Sequence, residues 1–508
     1  MNNWIVAPVL VPLVAGALLL VIRSTGLGAT RFLSAVATAT LIPVAMGLMT
    51  IAASGEPQVY YLGDWPAPFG IVLVLDRLSA LMLMLSSVLA GASLVYALGG
   101  DDTRGGDFHA LFQFQLLGIN GAFLTGDLFN LFVFFEILLI ASYCLILHGG
   151  GPARIRAAMH FVVLNLVGSS VFLIALGVIY GTLGTLNMAD LAVKVSAADA
   201  GSIGLIGVAG LLLLVVFGLK AALLPLGFWL PSAYRCATAS VACLFAIMTK
   251  VGVYAILRVH TLIFIDPSGG GFSLESWLLP LALATMVLGT IGAVAASELR
   301  ATVSYLVVVS VGTLLAAVGL FSRDGIAAAL FYLLHSTLVT GGLFLLADLI
   351  ARQRGETGAR LDRSRSVHQP VLLGMLFFVG AVAVSGLPPL SGFAAKLFIL
   401  QAAQASTAAV WVWGVILVSG LLVIVTLSRA GSAIFWRTEG TRGEPWPVRG
   451  HQAVSAGGLL AGAVLLMVFG ARALDYSEAT AEQLLRPSSY IDAVLANESV
   501  STPASMKE

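Results

Sequence analysis

Long apolar runs, one after another from Trp4 to about residue 471, decide what this chain can fold into. A run of roughly 20 apolar residues crosses the ~30 Å hydrocarbon layer as a helix, and within lipid every backbone N–H and C=O must be satisfied inside the segment. The chain therefore reads as an all-α polytopic membrane protein. Of its 508 residues 59% are hydrophobic and 10% charged, against about 25% charged in an ordinary soluble domain, so no soluble catalytic domain is expected. We count about fourteen spans, at roughly 4–22, 32–53, 75–98, 109–125, 128–147, 157–182, 203–230, 237–263, 276–296, 301–320, 325–350, 370–402, 409–434 and 451–471. The first lacks a basic n-region and a small-residue cleavage site, so it reads as a retained span. The polar tail after about Arg472 suggests a short surface helix.

Basic residues between the spans fall on alternate sides. One side collects Arg23, Arg31, Arg104, Arg154, Arg156, Arg235, Arg300, Arg352, Arg354, Arg360, Arg363, Arg365, Arg437, Arg442 and Arg449. The other holds Lys194 and Arg323 among the acids Glu56, Asp64, Asp190, Asp199 and Asp266. The positive-inside rule makes the first set cytoplasmic and puts both termini outside, in a bacterial cytoplasmic membrane. A net charge of +1 implies no polyanionic partner such as a nucleic acid. Cys144, Cys236 and Cys243 match no metal or disulfide spacing, and there is no phosphate loop or haem motif, so no cofactor is expected.

Only five lysines occur, and Lys220, Lys250 and Lys396 lie within apolar runs. Each costs about 3 kcal/mol at the middle of a bilayer and asks for a partner, a cavity or a charge pathway. Glu136, in NLFVFFEILLIASYCLIL, adds the opposite sign. Two spans also carry prolines that remove backbone donors: Pro225 and Pro231 in LLPLGFWLPSAY, Pro388 and Pro389 in SGLPPLSGF. Freed backbone groups in a membrane must be met by protein or a water-filled cavity, so both spans are expected to be broken helices beside Lys220 and Lys396. If spans four to eight and nine to thirteen form two five-helix units, the breaks fall on the fourth helix of each, the pattern of an inverted repeat. The corresponding division is 1–105 for three N-terminal spans, 106–265 and 266–436 for the two units, and 437–508 for the last span and tail.

The segments FFEILLIASY, FGLKAALLPLGFWLP, MTKVGVYAILR, LLHSTLVTGGLFLLADLI and GLPPLSGFAAKLFIL occur in this order. Together they resemble the antiporter-like subunits shared by respiratory complex I, membrane-bound hydrogenases and the Mrp-type (Pha or Mnh) multisubunit cation/proton antiporters, in particular the D-type subunits of the Mrp antiporters, over roughly residues 75–440. The resemblance implies fourteen helices in two inverted units, charged residues across the membrane middle, and assembly with other antiporter subunits. Carried over by position, Glu136 is the fifth-helix glutamate, Lys220 the seventh-helix lysine paired with it, Lys250 the eighth-helix lysine, His335 the eleventh-helix histidine, and Lys396 the twelfth-helix charged residue. The stretch SAYRCATASVACLFA after Pro231 lacks the proline usual in the family.

In this reading Glu136 holds Lys220 protonated, and weakening that pair sends a proton towards Lys250, His335 and Lys396. The function expected is that of the proton-translocating subunit of a monovalent cation (Na+)/proton antiporter. The alternatives are a proton-pumping subunit of a complex I-type or hydrogenase redox complex, and a non-transporting scaffold. At residue level Glu136 with Lys220 also reads as a structural ion pair, Lys250 as hydrogen-bonded glue, His335 as a packed interior histidine, and Lys396 as a water-facing group at a helix break. Asp348 reads as a rim residue, Asp76 with Arg77 as a pair or cap, and His109, His160 and His260 as residues near span ends. No residue set defines a sodium site.

Overall fold

The computed structural model describes residues 3–264, 274–361, 365–438 and 448–496. Asp266, Arg363, Arg442, the 265/266 unit boundary and the tail beyond 496 lie outside the described residues. Among the described residues twelve helices are long and apolar enough to cross a membrane, beginning with Asn3–Thr25 and ending with Gly450–Val468. The runs expected at 109–125 and 370–402 are occupied by the 17-residue helix Phe108–Leu124 and by the shorter apolar helices Pro370–Ser385 and Ser391–Ala403.

A helix that is apolar all round belongs in a core, whereas one exposed to lipid buries a single stripe. Accordingly Ala239–Leu262 is wholly buried, Leu299–Val318 and Arg323–Gln353 nearly so, while Pro152–Leu183 and Ala409–Trp436 bury well under half of their length. Phe378, Met375, Leu421 and Ile174 lie on the exposed apolar surface of such outer helices. Small residues let the helices approach, as is usual in membranes. A Cβ on Gly252 would lie 2.5 Å from the Ala221 backbone nitrogen, so the helix carrying Lys250 crosses the one carrying Lys220 at this contact.

Arginines of the expected cytoplasmic set meet at one end of the bundle. Asp101 accepts from Arg352 at 2.7 Å, from Arg104 at 3.1 Å and from the Ser240 hydroxyl at 3.1 Å. Asp102 accepts from Arg31 at 2.6 Å and lies 3.2 Å from His109 Nε2. Burial alone would push the Asp102 carboxyl up, but hydrogen bonds and charge from His109 and Arg31 prevail and hold it at about 2. Asp348 is in this rim, 2.6 Å from Arg352 and 2.8 Å from the Tyr96 hydroxyl.

The opposite end is a cap that the hydropathy pattern does not announce. Strands Gln58–Tyr61 and Val72–Leu75 form an antiparallel hairpin. The tail is two helices, Gly470–Leu484 and Ser488–Leu495, and not the single surface helix expected. They are tied down: Arg323 reaches Glu478 at 2.9 Å, and the Tyr61 hydroxyl donates to Val494 O at 3.0 Å. Asp76 caps its helix by accepting from Ser79 N at 2.9 Å. Its ion-pair partner is the buried Arg258, at 2.6 Å, with the Tyr490 ring 5.2 Å from that guanidinium. Arg77 instead donates to Ala53 O at 2.7 Å, because its side chain leaves the helix start away from the core. The segments Asn3–Val6 and Ser488–Leu495 both belong to this end through their contacts with the hairpin.

Candidate functional site: two broken helices and a line of buried cations

At the first break the helix Ala200–Ala221 stops at Ala222, whose φ of 66° is left-handed, and the chain resumes as Leu226–Phe228 and Trp229–Cys236. Pro225 has no N–H to offer, and the neighbouring groups find other partners. Leu219 O accepts from the Trp229 indole at 3.0 Å, Gly218 O accepts from Leu223 N at 2.7 Å, and Leu224 N donates to Thr285 Oγ1 at 2.9 Å.

Lys220 is buried beside this break, and its Nζ donates to Asn165 Oδ1 at 3.3 Å. Glu136 is not its direct partner: among the described residues no oxygen of Glu136 comes within 4.0 Å of Lys220 Nζ, because Asn165 and Ser169 of the adjoining helix stand between them. The Ser169 hydroxyl contacts Glu136 Oε1 and lies 3.1 Å from Asn165 O. With one proton to donate, it binds the carboxylate and leaves the Asn165 carbonyl as a second acceptor within reach. The expected pair is thus spaced out over four residues, Glu136–Ser169–Asn165–Lys220, whose middle step runs past the Asn165 backbone carbonyl and not through its side chain. Asn165 and Ser169 were not singled out from sequence, although polar residues four apart in the apolar run LNLVGSS share one helix face.

Lys250 is fully buried and donates to Ser310 Oγ at 3.3 Å. A cavity of about 10 Å³, lined by Asn165, Lys220, Met248 and Val251 among others, lies between the Lys220 and Lys250 helices. That is close to the least space that holds one water. The Gly252 contact described above keeps these two helices at that distance.

At the second break Pro370–Ser385 ends at Gly386, with φ 80°, and Ser391–Ala403 begins after the two prolines. Here the freed carbonyls are taken by the cation itself. Lys396 Nζ donates to Ser385 O at 2.8 Å and Val384 O at 3.3 Å. His335 Nδ1 lies 2.8 Å from Ser391 Oγ at the start of the same half-helix. A Cβ on Gly392 would sit 2.0 Å from Ala383 O and 2.9 Å from His335 Nε2, so only glycine lets the break close against the histidine.

The five residues therefore fall into three polar islands: Glu136 with Lys220, Lys250 with Ser310, and His335 beside Lys396. Among the described residues no hydrogen bond connects Ser310 to His335, and the ring of Tyr332 lies 5.8 Å from that of His335. No cluster of histidine, cysteine, aspartate or glutamate suited to a metal ion occurs among the described residues.

The family model for "NADH:quinone oxidoreductase/Mrp antiporter, TM" matches residues 125–424. The chain belongs to this family. The matched stretch holds both breaks and all five residues above. A relative in Rhizobium meliloti, named as a probable D-type subunit of a K(+)/H(+) antiporter, is 42% identical, over 97% of this chain and 98% of its own length. The D-type subunit of an Na(+)/H(+) antiporter in Bacillus subtilis is 38% identical, over 97% of this chain and all of the relative. Among solved structures, a chain of the Mrp complex from Dietzia sp. matches at TM-score 0.87 and 28% identity, covering 97% of this chain and 100% of that one. A chain of the membrane-bound sulfane sulfur reductase, an archaeal respiratory membrane complex, matches at TM-score 0.89 and 25% identity, over 97% and 99%. The family's architecture thus serves assemblies with and without antiporter names.

Proposed function

We propose that this chain is the proton-translocating subunit of a multisubunit monovalent cation/proton antiporter in a bacterial cytoplasmic membrane. Full-length relatives named as D-type subunits of such antiporters support the class. The observation that carries the mechanism is the arrangement at the first break, where a buried lysine bonds the Asn165 side chain, a carboxylate bonds the Ser169 hydroxyl one turn along the same helix, and the two charges make no direct ion pair. A directly paired lysine is locked in its charged form, whereas one tied through neutral groups feels the carboxylate in a way that small shifts of Ser169 and Asn165 can change. In a low-dielectric setting that change alters proton affinity, since burial disfavours the charged ammonium and a nearby anion favours it.

A proton leaving Lys220 passes towards Lys250 across the Gly252 crossing, and from there to His335 and Lys396. Each jump between islands takes water or a side-chain swing. The sites interact as a set, so titration belongs to the chain of groups and not to one residue. The proposal includes fourteen spans, counting Phe108–Leu124 and the broken pair Pro370–Ser385 and Ser391–Ala403, the two inverted units as divided above, both termini outside, and a cation path supplied with partner subunits. Na+ and K+ both stand among the cations named for the relatives.

The test is cation-dependent proton movement in everted vesicles containing the whole complex, wild type against Lys220→Ala, with assembly checked on native gels. An assembled complex without transport puts Lys220 on the path. Normal transport would leave this chain a scaffold, and co-purification with iron–sulfur and flavin subunits would move it to a redox complex.

A further inference from the structure

Two adjoining cavities open on the outer surface of the second unit, at the arginine-rich end. The first is an apolar cleft of about 760 Å³ between Pro370–Ser385 and the helix that runs from Ala409 through Trp436. Met375, Phe378 and Trp436 are each more than two-thirds exposed along it. The second, about 620 Å³, is lined by Arg360, Arg429 and Arg437 with no acidic residue among the described lining. Ser428 and Ser432 belong to both. A greasy groove thus continues, at the depth where helices leave the membrane, into a cationic bowl.

We propose that this composite site holds an anionic phospholipid, its acyl chain laid in the cleft and its phosphate between Arg429 and Arg437. The charge pattern selects the occupant. A transmembrane helix from a partner would fill the apolar part but leave Arg429 and Arg437 without a counter-charge, whereas a phospholipid supplies an apolar chain joined to an anion at the required interfacial depth. Basic pockets between helices at a membrane face recognise such headgroups, and Trp436 at the mouth suits the headgroup level. The cleft reaches inward to Ser385 and Leu387, and Ser385 O is the acceptor that holds Lys396. A chain in the cleft therefore covers the second break from the side. That last consequence rests on the relay reading, whereas the binding itself does not.

The test reads lipid and not transport, so its result is separate from the fate of the relay. The assembled complex is purified in mild detergent, delipidated and titrated with phosphatidylglycerol or phosphatidylcholine, with binding read by native mass spectrometry. At about 1 kcal/mol per interfacial arginine, the double variant Arg429→Gln/Arg437→Gln is expected to bind phosphatidylglycerol about 30-fold more weakly, tenfold being 1.4 kcal/mol. Equal binding by wild type and variant, or equal affinity for the zwitterionic lipid, overturns the proposal. If the double variant fails to assemble, p-benzoylphenylalanine at Met375 decides. Crosslinking to lipid upholds the site, and crosslinking to a partner protein shows a protein helix in the cleft and overturns it.

Discussion

The two breaks solve one problem with different groups. Both leave carbonyls without helical partners beside a lysine, and both close on a glycine packed against a carbonyl: a Cβ on Gly227 would lie 2.4 Å from Ala222 O, and one on Gly392 2.0 Å from Ala383 O. At the first, a freed carbonyl goes to the Trp229 indole, and Lys220 is left to side chains that lead to Glu136. At the second, Lys396 takes the carbonyls directly, and its titratable neighbour is His335. One lysine answers to a carboxylate at a distance, while the other answers to fixed backbone dipoles. The first is adjustable by side-chain movement, and the second changes only if the break itself moves.

The sharpest way to break that comparison is Glu136→Gln. Hydrogen bonds to charged groups are worth about 1.5–3 kcal/mol, so the variant is expected to slow cation-dependent proton movement by roughly ten- to a hundredfold in assembled complexes, tenfold being about 1.4 kcal/mol. Wild-type rates in that variant would remove the dependence of the first break on its acid. Next comes the rigidity of the second break. Gly392→Ala forces a methyl against Ala383 O and His335, which typically costs about 1–3 kcal/mol, and should lower the melting temperature of the purified complex. Gly414→Ala, with nothing within 4 Å of the added atom, should leave melting unchanged, and similar melting of the two variants would mean that the second break yields.

A smaller effect is expected from Ser169→Ala, which removes the hydroxyl between Glu136 and Asn165. At about 1 kcal/mol for one hydrogen bond, transport should fall several-fold. Ser170→Ala, whose hydroxyl turns to Leu166 O, should transport like wild type, so equal rates in the two variants would take Ser169 out of the bridge. The smallest lies far from both breaks. The Asp102 carboxyl is held at about 2 against an ordinary value of 3.8, so its stabilising effect is complete above about pH 4 and fades as the pH falls towards 2. The melting advantage of wild type over Asp102→Asn should disappear in that window, and an advantage constant down to pH 2 would show that the charge contributes nothing.

How much of this was legible follows from what each signal depends on. Apolar runs and prolines are local, and the twelve long apolar helices of the described residues and both breaks fall where they indicate. The positions of Lys220, Lys250, His335 and Lys396 in buried or partly buried sites follow from the same runs. Their partners do not, because Asn165 with Lys220 and Ser310 with Lys250 depend on how separate helices are rotated against each other. The Glu136–Lys220 pair came from the family pattern, which supplies residue types but not the serine and asparagine interposed here. The ion pair of Asp76 with Arg258 spans 182 positions, and the tail helices pack a polar sequence mainly against Arg323–Gln353 and Met188–Ser196. No hydropathy pattern carries either.

The buried acceptor Asp101 sets an order of events in the making of this protein. Its partner Arg352 lies 251 residues later in the chain, and at about 5–20 residues per second the ribosome needs roughly 10–50 s to reach it. Throughout that interval the partners of Asp101 already made are Arg104 and then the Ser240 hydroxyl. Arg352 is the late-arriving clasp, so a chain stopped short of it lacks the tie between the loop after Arg77–Ala97 and the helix Arg323–Gln353.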